Sequence, residues 1–154
     1  MNNQVKRVPY GVADFAAVIE RNQYYVDKTM FIPELERQPS NLFFIRPRRF
    51  GKSIFLNMLH CYYDCAQRDR FEKLFGNLWI GKHPTPHRNN YQVLFLDFSQ
   101  ITGNIDVLEE RFNSYLNINL DWFVRTYSDY YPKETQEEIF SKKVCDEKFE
   151  LIFK

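Results

Sequence analysis

The chain has 154 residues, 44% of them apolar and 27% charged, with a formal net charge of +1. That length allows one ordinary domain with a substantial core, and the apolar fraction excludes an intrinsically disordered chain. A near-neutral balance gives no global attraction to nucleic acid or membrane, so any such attraction must be local.

From Gly11 to Asn22 the apolar positions Val12, Phe15, Ala16, Val18 and Ile19 recur at helical spacing and predict a short amphipathic helix. Tyr24-Tyr25-Val26 reads as extended, and Asp27 as the N-cap of a following segment whose apolar Met30, Phe31 and Leu35 suggest a helix. A proline inside a helix costs about 3 kcal/mol, so that helix should start, or restart, near Pro33. Residues 42–45, Leu-Phe-Phe-Ile, form a buried-strand candidate, and from Gly51 the positions Ile54, Phe55, Met58, Leu59 and Tyr62 predict a helix of three or four turns.

Arg70 to Phe75 suggests another short helix, and Gly76 to Asn90, with Pro84 and Pro86, reads as a loop-rich connector. Val93 to Phe98 is a second strand candidate, polar only at Asp97, in the manner of a buried parallel strand. Leu108, Phe112, Tyr115, Leu116, Leu120 and Phe123 then predict a long amphipathic helix from Asp106 to about Tyr127. Pro132 interrupts, and residues 134–154 predict one or two more helices.

The three cysteines are an odd count that suits a reduced, cytoplasmic chain without a disulfide framework. The N-terminus lacks the apolar core of a signal peptide, and no apolar run is long enough to span a bilayer, so no membrane association is expected. His60, Cys61 and Cys65 share one helix, but a zinc site wants four ligands, usually in two close pairs. Packing by free cysteines is the better explanation.

The octapeptide Arg46-Pro47-Arg48-Arg49-Phe50-Gly51-Lys52-Ser53 carries the chemistry. Between an apolar run and an amphipathic helix it reads as a phosphate-binding loop, because that context aims backbone N–H groups and a helix N-terminus at an anion. In the pattern G-x-x-x-x-G-K-[ST], Gly51 lets the backbone approach the phosphates, Lys52 reaches the terminal phosphates, and the Ser53 hydroxyl coordinates magnesium. Arg46 holds the place of the first glycine. Pro47 biases Arg46 to extended backbone and turns the chain with its own fixed φ, so a glycine is not needed there. Arg48 and Arg49 could face a phosphate, a neighbouring subunit or a nucleic-acid backbone, or simply be solvated.

RPRRFGKS, preceded by VPYGVADF and YYVDKTMFI and followed by FLNMLHCYYD, resembles the bacterial AAA-ATPase-like family over nearly the whole chain. Its members look like P-loop ATPase domains, often fused to a C-terminal PD-(D/E)XK nuclease-like domain. The resemblance implies an α/β, P-loop NTPase-like (AAA-like) fold in a single domain over 1–154. That domain comprises an N-terminal segment (1–41), a strand, loop and helix (42–65), and a second strand with long C-terminal helices (92–154). It implies ATP and magnesium as ligands, and Arg46-Pro47 as the family's usual form of the loop.

On pattern alone Asp97 could be the strand-terminal acid that holds magnesium, but the family places its acidic strand after the helix that here ends in CDEKFELIFK. The resemblance therefore also implies an incomplete sheet, a chain that is the front part of a longer ATPase, and a role for Asp97 as a cap or loop organiser. Such a chain would bind ATP yet be unable to hydrolyse it alone. Two alternatives stand beside this reading: a nucleic-acid or partner-binding module built on the basic loop, and a small P-loop kinase with Asp97 as the metal-site acid. Tyr24 and Tyr25 could flank a base, although aromatic pairs at such positions are more often core.

Overall fold

The computed structural model describes residues 5–45, 47 and 50–154. They fall in two compact units, Met1–Tyr91 and Gln92–Lys154.

In the first unit, α1 (Phe15–Glu20) is capped by Asp14, whose carboxylate accepts the Ala17 amide at 3.0 Å. The Phe15 amide, which has no acceptor within its own helix, donates at 2.8 Å to Asn57 Oδ1 of α3 (Lys52–Tyr63) and so ties the two helices. A single 3₁₀ turn, Thr29–Phe31, leads into α2 (Ile32–Glu36), with Pro33 in its first turn, where the missing N–H costs nothing. Asp27 organises this entry: Oδ1 accepts from the amide and hydroxyl of Thr29 at 2.8 and 2.7 Å. Its Oδ2 reaches across the chain to the Trp79 amide at 2.7 Å, and the Thr29 hydroxyl oxygen accepts the Ile80 amide at 3.1 Å. Those two bonds satisfy the start of α5 (Trp79–Lys82), a helix of one turn that follows α4 (Phe71–Phe75).

The core of this unit is aromatic. Phe15, Tyr62 and Phe75 are fully buried with Met58, Ile32 and Ile80, and ring centroids lie 5.1 Å apart for Phe15–Phe75 and 5.6 Å for Tyr62–Phe75. Such pairs add about 0.5–1.5 kcal/mol each beyond the area they bury.

In the second unit α6 (Ile105–Thr126), α7 (Lys133–Ser141) and α8 (Cys145–Ile152) pack Leu116, Leu120, Phe123, Val124, Ile139 and Ile152 into a core of their own. Lys148 of α8 is 3% exposed and donates to Asp121 Oδ1 of α6 at 2.5 Å. No helix among the described residues is long and apolar enough to cross a membrane.

The α/β, P-loop NTPase-like sheet expected from the sequence is not formed: the described residues are helical, and their only ladder-type contact is an isolated parallel bridge between Asp64 and Tyr91. Neither strand candidate forms a ladder among the described residues. A strand needs a neighbour to take its backbone groups, and in the second candidate side chains take two of its amides instead. Phe44 stacks on Phe55 of α3 at 5.1 Å while Phe43 and Ile45 face solvent. In the other segment the Val93 amide donates to the Tyr127 hydroxyl at 2.9 Å and the Asp97 amide to the Tyr115 hydroxyl at 2.6 Å. Phe98, read as the last strand residue, instead begins a 3₁₀ turn, Phe98–Gln100.

Candidate functional site

The α3 helix starts at Lys52, directly after Gly51, whose φ of 74° lies in the left-handed region that favours glycine. Unlike Asp14 before α1, Gly51 has no side chain with which to cap the first turn of α3. The first amides of an α-helix lack partners within the helix and carry the positive end of its dipole, so the start of a 12-residue helix favours an anion. The Gly51 carbonyl is already used, accepting the Phe55 amide at 3.1 Å.

Lys52 is half-buried and Ser53 exposed, both in the first turn. Pro47 and Phe50 are exposed ahead of it. Arg46, Arg48 and Arg49, expected to contribute to the loop, lie outside the described residues.

Beside this helix start lies a cavity of about 210 Å³ between α2 and α3. Phe31, Leu35 and the stacked pair Phe44 and Phe55 supply its apolar lining, with Gly51 at the loop side. Lys28, Glu34 and Gln38 complete the lining with polar groups. A mostly apolar cavity with a few polar groups at its margin is the usual form of a small-molecule site. Sequence reasoning missed this lining, although Phe31 and Leu35, four residues apart and therefore on one helical face, were the available signal. The tyrosine pair lies elsewhere: Tyr25 packs edge-on against Phe15 at 5.2 Å, and Tyr24 is exposed.

Asp97 is in the second unit and acts as a local cap, accepting the Ser99 amide at 3.0 Å. Hydrogen bonds from the Ser99 hydroxyl and amide hold its carboxyl below the usual carboxylate range. Among the described residues no group of three or more His, Cys, Asp or Glu is placed to hold a metal ion. Cys61, Cys65 and Cys145 are free thiols, and burial pushes that of Cys61 up to about 11.

Comparison with known proteins adds three findings. A family model described as predicted AAA-ATPase matches residues 9–152. An uncharacterized protein in the vnfD 5′ region of Azotobacter chroococcum mcd 1 is 49% identical over 55 residues, which are 35% of this chain and 11% of that protein. The match thus spans about a tenth of the relative's length. No solved structure matches the chain.

Proposed function

The chain belongs to the AAA-ATPase-like family, and from that premise we propose that it binds a nucleoside triphosphate with magnesium at the start of α3. The observation that carries this reading is the conjunction of Gly51 in left-handed backbone with a 12-residue helix that begins directly after it at Lys52. Gly51 lacks a Cβ where phosphate oxygens would approach, and the amides of the first turn supply donors aligned with the helix dipole. Lys52 is the cation for the terminal phosphates, and Ser53 is the hydroxyl that would hold magnesium. Bound magnesium would neutralise charge on the β- and γ-phosphates. Pro47 and Phe50, with Arg46, Arg48 and Arg49, complete the loop in this proposal. Asp97 has no part in it, because its carboxylate is engaged in organising its own turn.

Titration of a fluorescent ATP analogue, with and without magnesium, tests the reading. Magnesium-dependent binding should fall about 10–100-fold in Lys52→Ala, the loss of one or two charge-assisted phosphate contacts. Equal binding by wild type and Lys52→Ala, or loss of bound analogue to competing DNA only at low salt, would contradict it in favour of a general basic surface.

A further inference from the structure

We propose that an open cavity beside the C-terminal end of α3 binds a phosphate dianion, free or as the monoester of a small polar molecule; this site is separate from the nucleotide site proposed above and does not depend on it. The cavity measures about 530 Å³ and is lined by Arg68, Arg88 and the polar residues Thr85, Asn89 and Asn90. No carboxylate lines it, and among the described residues neither guanidinium pairs with one. Two cations without a counter-charge are matched by a phosphate, which carries about −1.5 to −2 at pH 7 and three acceptor oxygens. A single carboxylate would neutralise only one of them. A water molecule occupies about 30 Å³ of liquid, so the cavity has room for the polar body of an ester as well as its phosphate. The Lys52 turn lies at the other end of α3, a helix of 12 residues and so about 18 Å long.

Both guanidiniums are held in place by contacts that leave donors free. Arg88 lies over the ring of buried Phe71, 4.4 Å from its centroid. Stacking occupies the face of a guanidinium and leaves the N–H groups at its edge, and among the described residues none of these makes a hydrogen bond. Arg68 donates from Nη2 to the Asn89 carbonyl at 3.2 Å and retains its other N–H groups. The segment that carries Arg88 is itself pinned to α3. Asn89 is 2% exposed, sits in left-handed backbone at φ 50°, which asparagine tolerates better than most residues, and donates its amide to the Tyr62 carbonyl at 3.0 Å. Its Nδ2 donates to the Asp64 carbonyl at 2.8 Å. The Thr85 amide donates to the Tyr62 hydroxyl at 2.8 Å and the Thr85 hydroxyl to Glu36 at 2.7 Å. A frame fixed in this way spares the ligand much of the entropy cost of ordering two long side chains.

The test uses the full chain carrying Lys52→Ala, which disables the other end of α3, and titrates it by calorimetry with inorganic phosphate and with ribose 5-phosphate in about 0.15 M sodium chloride, where exposed charges are screened. At least one probe should bind. Arg68→Gln and Arg88→Gln, each added to that background, should weaken it about tenfold or more, the loss of one or two charge-assisted hydrogen bonds. Arg88→Lys keeps the charge but not the planar fork and should recover only part of the affinity. Tighter binding of ribose 5-phosphate identifies an esterified ligand, and equal or tighter binding of inorganic phosphate identifies the free ion; both results support the site. Circular dichroism checks that the variants fold, and Arg68→Gln, at an exposed side chain, suffices if Arg88→Gln does not. Binding of neither probe, or affinity unchanged in both glutamine variants, would overturn the proposal. So would binding of a single-stranded oligonucleotide that depends on these arginines while neither phosphate probe binds. Because Lys52 is absent throughout, none of these outcomes bears on the nucleotide reading.

Discussion

Replacing Asp27 by alanine removes a single carboxylate that holds three hydrogens in place, two on Thr29 and one on Trp79. Thr29 is fully buried, so its hydroxyl proton loses its acceptor in a site that water does not reach, while its oxygen still receives the Ile80 amide. The Trp79 amide is exposed and can turn to solvent, which makes that bond the least costly of the three to lose. Hydrogen bonds to a charged acceptor contribute about 1.5–3 kcal/mol when buried and less at the surface, so the total loss should be about 2–3 kcal/mol. With a urea m-value of about 1.5 kcal/mol/M, the unfolding midpoint of the full chain should fall by roughly 1.3–2 M. Asp27→Asn retains one oxygen acceptor for the Thr29 pair but not the charge or the second oxygen, and should lose about half as much. A midpoint unchanged in Asp27→Ala, or a greater loss in the asparagine variant than in the alanine one, would refute the assignment of Asp27 as the joint between the α2 entry and α5.

Further expectations follow from single contacts. Gly51→Ala should destabilise by about 1–2 kcal/mol, and Gly51→Asn by less, because the cost lies in the left-handed backbone rather than in crowding; the nearest atom to an added Cβ, Ile54 Cγ2, is 3.5 Å away. Thermal melts of both variants read the difference. Asp121→Ala should cost about 2–3 kcal/mol by leaving the Lys148 ammonium buried without its partner, whereas Lys148→Met should be nearly neutral, and a double-mutant cycle in denaturant measures that asymmetry. For the thiols, alkylation at pH 8 followed by peptide mass analysis should modify half-exposed Cys65 well before buried Cys61, whose thiolate becomes abundant only near pH 11. Because burial raises the Cys61 pKa in the folded chain from an ordinary value of 9.0, the unfolded chain releases that proton first; its contribution to stability is intact below pH 9 and is lost as pH climbs toward 11.

Periodicity made the longer helices legible. The apolar spacing around Phe55, Met58 and Tyr62 places α3 where the structure has it, and Leu116, Leu120 and Phe123 mark the buried face of α6. Local capping was legible in part, since Asp27 and Pro33 act within a few residues of their own positions, whereas the Asp14 cap of α1 was not read. What could not be read depends on groups distant in sequence. The start of α5 is satisfied by Asp27 and Thr29, some fifty residues earlier, so its one turn was hidden inside an apparent connector.

Leu42–Ile45 and Val93–Phe98 carry strand-like composition, but a strand exists only with its neighbour. Tyr127 and Tyr115 meet the Val93 and Asp97 amides instead, which no local pattern announces. At the candidate site, the glycine and the helix after it could be read from three residues. The cavity wall supplied by α2 could not, because it is formed only when two helices pack.

Amide hydrogen exchange, followed by mass spectrometry in the presence and absence of magnesium ATP, addresses the nucleotide assignment at the backbone itself. Peptides covering residues 50–56 should exchange markedly more slowly at saturating nucleotide, and Lys52→Ala should abolish that protection. Unchanged exchange through this turn, with protection arising only elsewhere in the chain, would contradict the assignment of the α3 start as the phosphate site.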